Sequence, residues 1–319
     1  MISFLFIVVG FVFLIKGADC LVDGASSVAR RLNISDLVIG MTVVAFGTSA
    51  PELFVNIIAS VKGNAGIAIG NLLGSTIANI FLVLGIAALI YPLSITRETV
   101  RREIPLSLVA AVLIGFLANE HMIDKSAHAV LSRGDAVFLL FFFIIFLYYS
   151  FRFAKRRDDI AEQISTKQYG LITSSALVII GLIGLGLGGK MIVDGAIRLA
   201  LLWGVSDSFI GLTIIAIGTC LPELATSVVA ACKKNADIAI GNIVGSNIFN
   251  LFFVFGISAL IRPLSFTSAN NIDIGVMILA NILLILAMFM GRKRMIDRWE
   301  GVIFIILYGS YIGFLIMRG

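Results

Sequence analysis

Gly47-Thr48-Ser49-Ala50-Pro51-Glu52 and, 171 residues later, Gly218-Thr219-Cys220-Leu221-Pro222-Glu223 are two copies of one hexapeptide, each set inside an apolar run. Working outward at that offset, Asp23-Gly24-Ala25 recurs as Asp194-Gly195-Ala196, Ser35-Asp36 as Ser206-Asp207, and Pro92-Leu93-Ser94 as Pro263-Leu264-Ser265. No gap is needed between Asp23 and Thr96, and 39 of those 74 aligned positions are identical. Shared apolar composition does not give such a match, so the two halves descend from one unit.

With 59% hydrophobic and 13% charged residues over 319, and a mean hydropathy of +1.06, the chain lies outside the soluble globular range. A spanning helix needs about 20 apolar residues, and segmentation predicts ten spans: 2–28, 36–61, 66–91, 104–119, 134–152, 170–202, 208–232, 237–261, 273–291 and 300–317. The run Ile2–Ile15 has no basic residues before it and reads as half of the first span, not a cleaved signal. The expected class is an all-α polytopic membrane protein with a first five-helix repeat over 1–153, a polar cytoplasmic linker over 154–169 and a second repeat over 170–319.

Lys and Arg in alternate loops fix the orientation. Sixteen, among them Arg30, Arg31, Arg102, Arg152, Lys233 and Arg298, fall on the side that is cytoplasmic if the N-terminus is outside, and six, among them Lys62, Arg262 and Arg318, fall on the other. Both termini are therefore expected outside. Topology accounts for the formal charge of +5 without a nucleic-acid partner. Five spans per half is an odd number, so the second half enters the membrane in the opposite sense. Inverted repeats of this kind place a substrate site near the midplane, where broken helices meet.

The hexapeptides supply the breaks. Proline lacks a backbone donor and clashes with the preceding turn, which frees upstream carbonyls, and freed carbonyls in hydrocarbon persist only where protein, water or an ion satisfies them. Glu52 and Glu223 add two carboxylates at a depth where a charge costs about 2.5–3.5 kcal/mol, with no basic residue in the same segments. Carboxylates, carbonyls and hydroxyls are the ligand set of hard cations. The following spans carry Gly70-Asn71-Leu72-Leu73-Gly74-Ser75-Thr76-Ile77-Ala78-Asn79 and Gly241-Asn242-Ile243-Val244-Gly245-Ser246-Asn247-Ile248-Phe249-Asn250. In each, the serine and the last asparagine share a helix face. Cys20, Cys220 and Cys232 have neither disulfide nor zinc spacing.

The double pattern Gly-Thr-Ser-x-Pro-Glu then Gly-Asn-x-x-Gly-Ser-x-Ile-x-Asn resembles the alpha repeats of the sodium/calcium exchanger family, within the cation/calcium exchanger superfamily, in its prokaryotic type. The resemblance covers nearly the whole chain. It implies a core of spans two, three, seven and eight, with long tilted spans one and six sliding past it. It further implies a secondary antiporter of Na+ and Ca2+ in the cell membrane, working by alternating access and without a prosthetic group. Carried over by position, Glu52 and Glu223 hold calcium with backbone oxygens of Thr48 and Thr219 and with Asn79 and Asn250. Ser49, Ser75, Ser246 and the carbonyls of Ala45 and Ala216 build flanking sodium sites. Cys220 stands where the symmetric position has serine, and a thiol is a poor sodium ligand; Asn250 stands where several members have aspartate. A proton-coupled divalent cation exchanger and, from another class, a cation channel are the alternative readings. The chain is not read as an enzyme, since it has no evident nucleophile and base pair.

Of the remaining polar residues, Asn71 and Asn242 read as structural, Asp23 and Asp194 as caps or tethers of spans one and six, Lys16 and Lys190 as unmatched, and His121 and His128 as solvated. The phenylalanine run Phe138–Phe146 is expected to face lipid. A monomer is the expected functional unit, with small cations and the bilayer as its partners.

Overall fold

The computed structural model describes residues 2–94, 102–120, 129–152, 169–202, 216–289 and 294–318. The expected linker, apart from Tyr169, lies outside these residues, as do His121, His128 and Ser206-Asp207. The described chain is helical apart from four two-residue strands. In order it forms α1 (Ile2–Arg31), the bent pair α2 (Asp36–Thr48) and α3 (Ala50–Lys62), α4 (Ala65–Ile90), β1 (Leu93–Ser94), α5 (Glu103–Ala118), β2 (Val130–Leu131) and α6 (Arg133–Arg152). The second half forms α7 (Leu171–Leu202), α8 (Ala216–Thr219), α9 (Leu221–Cys232), α10 (Ala236–Ile261), β3 (Leu264–Ser265), α11 (Ser268–Ala287), β4 (Met295–Ile296) and α12 (Arg298–Arg318). Among the described residues, seven helices are long and apolar enough to cross a membrane unaided, and α2 with α3 makes one further span bent by 45°. The apolar helices α5 and α9 are shorter.

The repeat is visible in the punctuation. Helix α3 stops where Gly63 takes φ 75 and the N–H groups of Gly63 and Asn64 turn back to Ser60 O and Ala59 O, an arrangement that satisfies carbonyls at a helix end. Lys234, at φ 58, does the same for α9 through Ala231 O and Ala230 O. The next residues, Asn64 and Asn235, then cap α4 and α10 by accepting from the N–H of Ile67 and Ile238. Both central helices also widen into π-turns within one residue of equivalent places, Asn79–Leu84 and Phe249–Val254.

Helices α1 and α7, equivalents under the repeat, pack against each other along their lengths. Gly10 lies against Gly188, Gly17 against Gly181 and Gly184, and Gly24 against Ser174, so residue numbers rise along one helix as they fall along the other. The antiparallel run is the inversion expected from the odd span count. Glycine is required at this seam: a Cβ on Gly181 would stand 2.6 Å from Leu21 N and one on Gly188 2.6 Å from Leu14 N. Small residues let the backbones come this close, and the gain is van der Waals contact.

Helices α4 and α10 are the centre, with 72% and 83% of their spans buried in the protein against 28–33% for α1, α6, α7, α11 and α12. The outer faces carry Phe138, Phe141, Ile144, Tyr148 and Phe151 of α6 and Ile179, Ile180 and Ile183 of α7. The lipid-facing expectation for the phenylalanine run holds for only part of it. Phe143 and Phe146 are buried, Phe143 meets Phe249 and Phe253, and Phe142 stacks on Phe252. A helical period of 3.6 turns alternate phenylalanines inward, whatever their composition suggests. Two short ribbons tie the halves together: β1 pairs with β4 and β2 with β3.

Candidate cation-binding site

Pro51 and Pro222 lie in the first turns of α3 and α9, and their missing N–H groups deny Gly47 and Gly218 their helical partners. The breaks fall within the hexapeptides, as expected, at Ser49 and Cys220, where α2 and α8 end. Glu52 and Glu223 follow in the first turns of α3 and α9. The unpaired N–H groups and positive dipole end of a helix favour a carboxylate at that place. Both side chains are nevertheless shut in, at 1% and 0% exposure, and among the described residues neither has a basic partner.

The two hexapeptides serve each other. Ser49 Oγ of the first half donates to Glu223 Oε1 of the second at 2.8 Å, and Thr48 and Ser246 lie against the same carboxylate. Thr219 and Ser75 lie against Glu52, which also feels the charge of Glu223. Cys220, 2% exposed, takes Ser49's place in the other copy and sits within the field of both carboxylates.

A second layer, missed by the sequence reading, holds the hexapeptides across the repeat boundary. Thr48 Oγ1 donates to Asn242 Oδ1 at 3.0 Å and Thr219 Oγ1 to Asn71 Oδ1 at 3.3 Å. The amide of Asn71 then donates to Asn56 Oδ1 at 2.7 Å, and that of Asn242 to Ser227 Oγ at 3.1 Å. Both threonine hydroxyls thus reach an asparagine of the other half. Asn56 and Ser227 are each four residues beyond a glutamate, on the same helix face; that spacing was the signal available in the sequence. Asn71 and Asn242, read as structural, are the clasps between halves.

Six buried oxygens from the two motifs lack any hydrogen-bond partner in the protein: Glu52 Oε2, Glu223 Oε2, Ser75 Oγ, Ser246 Oγ, Asn79 Oδ1 and Asn250 Oδ1. Unpartnered buried oxygens cost about 1–3 kcal/mol each, more when charged, and a cation satisfies several at once. A hard cation takes about six to eight oxygens. The described residues contain no cluster of three His, Cys, Asp or Glu side chains that could hold a metal; the donors here are two acids supplemented by neutral oxygens. Ala45 O accepts both Ser49 N–H (3.0 Å) and Thr48 Oγ1 (3.3 Å), and Cys220 N–H turns to Ile217 O at 3.2 Å. Asp23, read as a tether, pairs with Lys233 at 2.6 Å, and Asp19 joins the same lysine at 3.3 Å.

The family model described as sodium/calcium exchanger protein matches residues 2–152 and 173–317. The chain is 39% identical to the putative antiporter CaxA of Alkalimonas amylolytica, over 98% of each chain. It is 33% identical to the sodium/calcium exchanger MaX1 of Methanosarcina acetivorans, over 98% of this chain and 97% of that one. Among solved structures, the sodium-calcium exchanger NCX_Mj soaked with 10 mM Na+ superposes with a TM-score of 0.85 at 33% identity, over 98% of both chains.

Proposed function

Because this chain belongs to the sodium/calcium exchanger protein family, we propose that it is a secondary antiporter that exchanges Na+ for Ca2+ across a prokaryotic cell membrane by alternating access. The observation that carries the reading is the set of partnerless buried oxygens on two mutually braced, inverted motifs. Calcium is held by Glu52, Glu223, Asn79 and Asn250 with the carbonyls of Thr48 and Thr219. Sodium occupies flanking positions drawn from Ser49, Ser75, Ser246, Cys220 and the carbonyls of Ala45 and Ala216. The sites overlap at the two glutamates, so several sodium ions or one calcium bind, but not both, and overlap is what enforces exchange.

The working fold is ten spans with both termini outside, in repeats 1–153 and 170–319 joined by a cytoplasmic linker at 154–169, acting as a monomer and without a nucleic-acid partner. Alternation consists of the α1–α7 pair sliding past the core formed by α2–α4 and α8–α10. An asymmetry between the halves supports this. Helix α1 packs along α9, where Lys233 meets Asp19 and Asp23, while α7 has no comparable packing on α3 among the described residues. In the expected orientation the closed end is cytoplasmic, and the conformation is open to the outside.

The test is calcium uptake into sodium-loaded proteoliposomes at matched pH and clamped voltage. Uptake that requires the outward sodium gradient is expected. Uptake driven by a pH gradient alone would move the protein to proton coupling, and currents far above transporter rates would make it a channel.

A further inference from the structure

Asn247 is 1% exposed in α10 and breaks the repeat, since the first half has Thr76 at its place. It accepts from Asn79 Nδ2 at 3.0 Å, across the boundary between halves. Asn79 Oδ1 is left buried and without a partner, as Glu52 Oε2 and Glu223 Oε2 are. Among the described residues the other half has no such arrangement. Thr76 gives its hydroxyl to Leu72 O at 2.8 Å, and both Oδ1 and Nδ2 of Asn250 lack partners.

An amide side chain has one face that binds a cation and one that repels it, the carbonyl oxygen and the NH2 group. Rotation by half a turn exchanges them at little steric cost. Beside a cation, whatever holds the NH2 end away decides whether the residue is a ligand.

We infer that Asn247 is a positioning residue of the cation site: its carbonyl takes the Asn79 NH2 group and so presents Asn79 Oδ1 to the ion, making Asn79 a fixed ligand and Asn250 an adaptable one. The inference rests on the proposed role of Asn79 as a ligand. Partners behind a metal ligand act by orienting it, and their loss weakens metal affinity by about 10–100-fold.

The experiment measures calcium affinity by titration calorimetry on the purified full chain without sodium. Asn247→Thr, the residue the first repeat uses, should weaken calcium binding about 10–100-fold. Asn247→Asp keeps an acceptor for the NH2 group and should not weaken it; weaker binding there would count against the inference. In an Asn79→Asp background, where both oxygens of residue 79 are equivalent, Asn247→Thr should change affinity by less than about twofold, because coupling vanishes once orientation no longer matters. An equal loss in both backgrounds would assign Asn247 to packing and overturn the proposal. Wild-type affinity in Asn247→Thr together with a loss in Asn79→Ala would also overturn it while leaving Asn79 a ligand. Wild-type affinity in Asn79→Ala would remove the ligand reading itself. Asn247→Ser supplies the same comparison if the threonine variant does not fold.

Discussion

Replacing Lys233 with glutamine removes the ionic tie between the end of α9 and the second half of α1. Lys233 Nζ stands 2.6 Å from Asp23 Oδ1 and 3.3 Å from Asp19 Oδ1, and it also donates to Asp19 O at 3.2 Å. At an effective dielectric of about 20, a unit pair at 4 Å has a gross attraction of about 4 kcal/mol. The lysine is 24% exposed and the aspartates 31% and 39%, however, so solvent screens most of that gain. Pairs this wet are worth about 0.2–1 kcal/mol each. Two of them give about 0.4–2 kcal/mol, and the midpoint of about 1.2 kcal/mol, at about 1.4 kcal/mol per decade, is roughly a sevenfold shift in a two-state equilibrium.

If the tie is made only with this end closed, its loss favours the opposite state. If the present state predominates, the fraction competent to bind calcium from the closed side is small, and apparent affinity there scales with that fraction. In proteoliposomes of known orientation, half-saturation by calcium on the closed side should fall about sevenfold, while the open side changes by less than about twofold. Lys62, the repeat equivalent, has no ion pair among the described residues. Inverted symmetry would bring it, in the opposite state, to Asp194 and to Lys190, which replaces Asp19. One attraction and one repulsion nearly cancel, so Lys62→Gln should move neither side by more than about twofold. Equal changes on both sides in Lys233→Gln, or no change on either, would refute the tie as a conformational bias.

Neutralising either central carboxylate, as Glu52→Gln or Glu223→Gln, halves the formal charge of the site; a loss of about 3–5 kcal/mol is expected, as for removal of one partner of a buried charge pair, which calorimetry reads as at least a hundredfold weaker calcium binding. Asn250→Asp removes a partnerless NH2 group and adds a carboxylate, so it should tighten calcium by about 1–3 kcal/mol; weaker binding would place residue 250 away from the ion. On α7, Gly181→Ala forces a Cβ to within 2.6 Å of Leu21 N while Gly186→Ala meets nothing within 4 Å. The first should cost about 1–3 kcal/mol and lower the melting temperature in detergent by several degrees, and the second should leave it unchanged.

The sequence alone determined the membrane class, the two copies, their inversion and the broken helices that carry Glu52 and Glu223. Each follows from a property that survives without contacts: apolar length, a constant offset, an odd number of spans, and a proline that lacks a donor. The offset establishes equivalence but not proximity. Only the tertiary structure shows that Ser49 serves the other half's glutamate, that Asn71 and Asn242 clasp the opposite threonines, and that Asn247 holds Asn79. The same holds for the π-turns, for the inward turn of Phe143 and Phe146, and for a lysine tie made in one half and not in the other. Periodicity tells which residues share a face, but which face of which helix it meets is decided by packing all the helices at once, and two equivalent segments can end in different surroundings because the molecule holds one of its two inverted arrangements at a time.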